Sequence, residues 1–262
     1  MKTVFGTYEW ANTTLNIISG CSHNCKYCFS KEMAIRFKRK TPDTWESESL
    51  NLDQYHRSIP HIKGIVMFPS THDITPKNLC YTLPFLKKIL EKNNNVLLVT
   101  KPHIECITQI CENCKDHKDN ILFRFTIGSK DDRVLSFWEP SAPLYRERKE
   151  SLVYAFEHGF KTSVSCEPML DNNVEALIAD LQNYVTDAIW LGKMNFVLRR
   201  IRVNGFFDNE TKKKAIELID WQSNDNIIAL YNRLSSNPKI KWKESIKKVV
   251  GLDVSLKTGC DV

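Results

Sequence analysis

Strand-like and helix-like stretches take turns along most of this 262-residue chain, and that alternation limits the possible folds more than any other feature. Thr14-Leu15-Asn16-Ile17-Ile18 alternates as a strand does. Gly64 to Phe68, Val96 to Thr100, Ile121 to Ile127, Thr162 to Cys166 and Ala188 to Gly192 are further runs of strand length. Between them lie helical stretches: about Lys31 to Lys40, Leu79 to Lys92, Ile104 to Cys114, Leu144 to Glu157 before a Gly159 C-cap, and Val174 to Leu181. Alternating elements of this kind form an α/β fold with a parallel sheet and right-handed crossovers. About six units suit either an incomplete (β/α)6 barrel or an open sheet, and the incomplete barrel is the expectation. Past Lys193 the rhythm is lost. Lys212 to Asp220 and Ile227 to Leu234 read as helices, and Lys239 to Lys243 as a short strand or extended segment. The expected division is a barrel domain over 1–195 and a helical/extended appendage over 196–262, packed on the barrel.

The turn after the first strand carries Cys21-Ser22-His23-Asn24-Cys25-Lys26-Tyr27-Cys28, a C-x3-C-x2-C run. Thiolates are soft ligands for zinc or iron–sulfur units, and a tight turn can wrap three of them around one inorganic group. The next cysteine is Cys80, so a fourth protein ligand is not at hand. Structural zinc and electron-transfer clusters normally take four, so three thiolates leave a metal position open for chemistry. In parallel β/α barrels reactive groups gather at the C-terminal ends of strands. Those ends read Ser70-Thr71-His72-Asp73, Thr100-Lys101, Gly128-Ser129-Lys130, Ser165-Cys166-Glu167-Pro168 and Lys193-Met194-Asn195.

Composition narrows the setting. Hydrophobic residues make up 42% and charged residues 26%, as in a globular protein. No apolar run approaches the roughly 18 residues that cross a bilayer. The first residues, Met1 to Thr7, lack the apolar core of a signal peptide. The nine cysteines therefore read as reduced thiols and metal ligands in a cytoplasmic protein with no membrane partner. A net charge of +6 permits an anionic partner without requiring one.

The cysteine run resembles the cluster loop of the radical S-adenosylmethionine (SAM) superfamily. There, three cysteines hold a 4Fe–4S cluster whose fourth iron binds the amino acid part of SAM. Leu98-Val99-Thr100-Lys101, Phe123-Arg124-Phe125-Thr126-Ile127-Gly128-Ser129, Glu139-Pro140 and Glu147-Arg148 narrow the likeness to the branch of spore photoproduct lyase, over about Leu15 to Pro168. The resemblance implies that Cys21, Cys25 and Cys28 ligate the cluster. Lys101 and Ser129 would contact SAM, and Arg148 would steady the rim near Glu139. For such a cofactor Lys101 or Lys130 supplies a cation, Ser129 or Thr126 a ribose contact, and Tyr27 an aromatic surface. The superfamily's Gly-Gly-Glu is absent, which leaves Asp73 or Thr71 for the SAM amino group. An electron donor such as flavodoxin or ferredoxin is also implied.

The departures bear on the substrate. Where the lyase has a hydrogen-donating cysteine after strand two, this chain reads Pro69-Ser70-Thr71-His72-Asp73, and Phe29 replaces one of two tyrosines flanking the third cluster cysteine. Tyr27 keeps the other phenol, and Cys166 is the candidate donor from strand five. Cys106-x4-Cys111-x2-Cys114 has a ferredoxin-like spacing but also fits the apolar face of a helix. Arg199-Arg200-x-Arg202, Lys212-Lys213-Lys214 and Lys239 to Lys248, interleaved with Phe196, Phe206, Phe207 and Trp242, form a mixture used by nucleic-acid surfaces and also by solvated helices. The expected function is SAM cleavage to a 5′-deoxyadenosyl radical that attacks an unidentified substrate. The rivals are a DNA- or RNA-acting lyase and a non-enzymatic metal-cluster protein.

Overall fold

The computed structural model describes residue 4 and residues 6–259. Cys260 lies outside them. The chain runs β1 (Thr13–Thr14), β2 (Ile18–Ser19), α1 (Phe29–Arg36), β3 (Ser49–Leu50), α2 (Leu52–His56), β4 (Ile65–Met67), α3 (Leu79–Leu90), β5 (Asn95–Thr100) and α4 (Ile104–Asn113). It continues through β6 (Ile121–Thr126), α5 (Asp132–Trp138), α6 (Tyr145–Glu157), β7 (Lys161–Cys166), α7 (Val174–Leu181), β8 (Ile189–Leu191) and α8 (Val197–Val203). The last elements are α9 (Asn209–Trp221), α10 (Asn224–Leu234), β9 (Ile240–Trp242) and α11 (Glu244–Val250).

Seven strands form one all-parallel sheet in the order β1-β4-β5-β6-β7-β8-β9, each beside its predecessor, as a partial barrel requires. The expected first strand is split. The Asn16 side chain turns away to accept the Ser70 and Thr71 N–H groups (2.8 and 2.9 Å), and Ile18-Ser19 instead pairs antiparallel with Ser49-Leu50. The C-terminal segment does more than lie on the barrel, because β9 joins the sheet beside β8 as its seventh strand.

Side chains alternate across the strands with a period of two. One set, including Val66, Phe68, Leu98, Phe123, Phe125, Val164, Cys166 and Leu191, packs against the helices in the main core. The other set points inward. Trp10, Leu97, Ala188 and Trp190 fill the interior with Ile65, Val99 and Leu122. Arg124 lies there too, 4.6 Å from the Trp10 ring and 5.1 Å from Trp190, held by Ser163 and Asp187. This aromatic plug leaves the opposite end of the barrel for a cavity.

Candidate active site

The cysteine loop gets its shape from local constraints. Gly20, at φ +96°, allows the approach to Trp45, because a Cβ there would sit 2.6 Å from the Trp45 carbonyl. Cys21 then donates to that carbonyl at 3.0 Å. Two tight turns follow, with Asn24 N–H on the Cys21 carbonyl and Cys28 N–H on the Cys25 carbonyl. Asn24 takes a left-handed conformation (φ 47°), and its side chain accepts from the buried Lys31 ammonium at 2.7 Å. Cys28 is the N-cap of α1, its sulfur accepting from Lys31 N–H at 3.3 Å. From the far side, Asn204 donates to the Lys26 and Cys28 carbonyls at 3.0 Å each. Cys25 and Tyr27 pack with Leu135, Trp138, Val197 and Ile201 of α5 and α8.

All three thiols line one cavity of about 460 Å³ at the C-terminal ends of the strands. Tyr27, Thr71, Asp73, Lys101 and Thr126 line it as well, so the fold gathers eight of the sequence-derived site residues there. Asp73 is heavily engaged. It accepts from His23 Nδ1 (2.9 Å), Thr100 Oγ1 (3.1 Å) and Lys101 N–H (2.7 Å), with the Lys101 ammonium at 3.5 Å and the Cys21 sulfur at 3.8 Å. Burial alone would raise its pKa, but Lys101 and His23 outweigh that and hold it well below the usual carboxylate range. Lys101 is buried as well, yet Asp73 and Cys25 keep its ammonium above its ordinary value. The Tyr27 hydroxyl donates to Glu139, which Arg148 holds in a buried pair at 2.5 Å.

Burial raises all three cysteine pKa values, and for Cys21 the negative charges of Asp73, Cys25 and Cys28 add to it. Such thiols become thiolates when a metal compensates the charge. Among the described residues, the one set of three ligand atoms within 4.8 Å of each other is Cys21, His23 and Asp73. The three loop sulfurs do not form such a set with one another.

Four expected residues do not line the cavity: Ser129, Lys130, Cys166 and Arg148. Ser129 donates to Asp171 and accepts from Asp131 N–H at 2.8 Å, just past Gly128, where a Cβ would sit 2.7 Å from the Pro168 carbonyl. Lys130 points to Asp180 at 3.2 Å, beside Tyr145. Cys166 shares the parity of Val164 and faces the helical core, its sulfur 3.8 Å from the Gly128 carbonyl. Arg148 acts from behind, bonding Glu139, the Pro143 carbonyl and the Thr126 carbonyl. Cys106, Cys111 and Cys114 are core residues, with pKa values pushed by burial to about 12, 12 and 11. Trp242 is core too, whereas Phe196 and Phe207 sit under Arg199, Arg202 and Lys212 at 4.3–4.6 Å.

The cavity is also lined by Glu167, Lys193 and Asn195, which the sequence places at strand ends without a role, and by Tyr8 and Arg200, which it does not place there; His103 lies behind His23. His103 Nε2 lies 2.9 Å from His23 Nε2, and its other nitrogen is 3.4 Å from Glu147. Lys193 and Asn195 stood at a strand end and were legible as rim residues. Tyr8 precedes every strand, and no local pattern marks it.

The partial parallel barrel is a fold the chain has in common with spore photoproduct lyase, at TM-score 0.57 and 18% identity over 87% of this chain and 75% of that one. A second lyase structure, with bound AdoMet and dinucleoside spore photoproduct, aligns at 0.52 and 18% over 78% and 62%. Streptococcus suis SuiB bound to precursor peptide SuiA aligns at 0.54 and 11%, over 91% of this chain and 50% of SuiB. In sequence, the chain is 25% identical over 245 residues to the uncharacterized protein ORF301 of Acidianus two-tailed virus, covering 80% of this chain and 79% of that protein. No family model matches.

Proposed function

We propose that this protein is a radical SAM enzyme. The observation that carries the reading is the convergence of Cys21, Cys25, Cys28 and Lys101 on one cavity at the strand ends. A 4Fe–4S cluster held by the three thiolates would supply the electron that splits SAM into methionine and a 5′-deoxyadenosyl radical able to take hydrogen from a substrate. The chain's own residues hold and orient. Lys101 presents an ammonium for the SAM carboxylate, Thr126 and Thr71 present hydroxyls, and Tyr27 presents a ring fixed by Glu139 and Arg148. Asp73 anchors Lys101 and is the acceptor available to an amino group. Ser129, Lys130 and Cys166 carry no role in this reading, since their side chains are engaged elsewhere. Electrons would come from a carrier such as flavodoxin or ferredoxin, and a cytoplasmic setting suits oxygen-sensitive chemistry. Among the described residues no helix is long and apolar enough to cross a membrane.

Repair of a thymine dimer is disfavoured on local grounds. Among the described residues lining the cavity, the cysteines are the three of the loop, so no thiol is left to quench a product radical. The test incubates reduced, reconstituted protein with SAM, then adds a spore-photoproduct dinucleotide. Formation of 5′-deoxyadenosine without restored thymidylyl-thymidine is the expected result. No 5′-deoxyadenosine in cluster-loaded protein would sink the enzyme reading, and efficient repair would favour the nucleic-acid lyase instead.

A further inference from the structure

Charged groups in this molecule are matched almost wherever they are buried. Lys101 meets Asp73, Lys243 meets Glu9 at 2.8 Å and Glu167 at 3.6 Å, and Arg148 meets Glu139. Both carboxylates that line the cavity, Asp73 and Glu167, are thereby paired. Lys193, which is half-buried, is unmatched. It lines the same cavity at the end of β8, and among the described residues its ammonium has no hydrogen-bond or ion-pair partner. Burial holds its pKa below the ordinary lysine value, with no carboxylate acting against it.

Its backbone is fixed. Lys193 N–H donates to Ser245 Oγ at 3.1 Å, and Met194 N–H donates to Gln222 Oε1 at 2.7 Å, so the cation is delivered by a pinned loop. A second cation, Arg200, lines the cavity from α8. Its contact with Glu32 is long at 3.8 Å, Arg199 reaches that carboxylate at 2.8 Å, and Arg200 Nε is buried without a hydrogen bond. The Arg200 guanidinium lies 5.4 Å from the ring of Phe29, which with Tyr8 brings exposed aromatic surface to the lining. A half-buried cation without a partner, on the wall of a cavity, is free to make a charge-assisted contact with a bound anion.

We propose that Lys193 and Arg200 form an anion subsite on the cavity wall, which anchors a phosphate or carboxylate of the substrate beside the rings of Phe29 and Tyr8. The subsite deepens the radical SAM reading and rests on it for the word substrate. It is separate from the Lys101 position, which is already matched by Asp73. The chemistry selects a small anionic substrate, or an anionic group of a larger one, with a ring or apolar part next to the charge.

The test uses cluster-loaded protein with saturating SAM, which fills the Lys101 side of the cavity. Equilibrium binding is measured for phenyl phosphate, benzoate and neutral phenol, with wild type, Lys193→Gln and Lys193→Arg. At least one anion should bind wild type more tightly than phenol does. Lys193→Gln should weaken that anion at least tenfold, and Lys193→Arg should keep most of it. Preference for phenyl phosphate assigns the subsite to phosphate, and preference for benzoate assigns it to carboxylate. Equal affinity in wild type and Lys193→Gln overturns the proposal, as does binding of neither anion. So does anion binding that SAM abolishes, since Lys193 would then be serving SAM itself. Iron and SAM binding are assayed on the same samples. Their absence in wild type overturns the cluster reading, whereas the anion measurements decide the subsite.

Discussion

Two cysteine trios occupy this molecule, both largely buried but unlike in backbone and surroundings. Cys21, Cys25 and Cys28 sit in a loop that folds back twice and points its sulfurs into a cavity. Cys106, Cys111 and Cys114 lie along α4 and at its C-cap, packed into the main core. Eight residues of helix span about 12 Å, and the helix uses its own N–H groups internally, so α4 cannot wrap one inorganic unit. The loop also has cations at hand. Of these Lys101 acts on Cys25 and Cys28, while the neutral backbone N–H of Lys31 hydrogen-bonds the Cys28 sulfur. Spacing alone does not make a cluster site. Of the two trios, the loop one combines an irregular backbone, a cavity and a nearby cation.

The sharpest way to break this comparison is to remove one thiol from each trio. Cys25→Ala should abolish iron binding by reconstituted protein. Cys111→Ala should keep full iron and lose stability by about 1 kcal/mol, read as a lower Tm. The opposite pattern would exchange the roles of the two trios.

Next in size is Lys101→Ala. A charge-assisted contact is worth about 1.5–3 kcal/mol, so SAM should bind roughly one to two decades more weakly while iron content stays unchanged. Unaltered SAM affinity would reduce Lys101 to a partner of Asp73.

The two regions were also unequally legible. Helices α3, α4 and α7 and strands β5 to β8 followed from hydrophobic period, because packing against one core decides them. The Cys21–Cys28 run was legible because ligand spacing is local. Parity was readable too: Cys166 lies two residues after Val164, so both face the same side of β7. The contacts of Ser129 and Lys130 with Asp171 and Asp180 are not legible in the sequence, because those partners are distant along the chain. β9 escaped as a sheet member since a lysine-rich edge segment carries little apolar signal. Asn204 gave no sign of its role, because an Asn-Gly pair at a helix end reads as a turn.

Asn204 therefore offers a finer test of what holds the loop. Asn204→Ala leaves two carbonyls of the cysteine loop without their donor, at a cost of about 1–3 kcal/mol. A lower Tm and faster iron loss under chelator are expected. Thermal and iron stability equal to wild type would show that α5 and α8 packing suffices.

The smallest effect lies far from the cavity. Lys149, Tyr145 and Lys130 hold the Asp180 carboxyl at about 2. A depressed native pKa gives stability that is present above the unfolded value of about 3.9 and lost as pH falls toward 2. Asp180→Asn should flatten the acid limb of Tm between those values, with a small amplitude reduced further by salt. An unchanged acid limb would assign that limb to other carboxylates.

The central claim is that the loop trio holds an open-sited cluster and the helix trio does not. Iron and sulfide content, with the electron paramagnetic resonance spectrum of the reduced protein with and without SAM, tests it most directly. The expected result is about four irons and four sulfides per chain, a signal that changes when SAM is added, and loss of both in the Cys21→Ala/Cys25→Ala/Cys28→Ala variant. A full cluster retained in that variant, or a spectrum indifferent to SAM, would contradict the account.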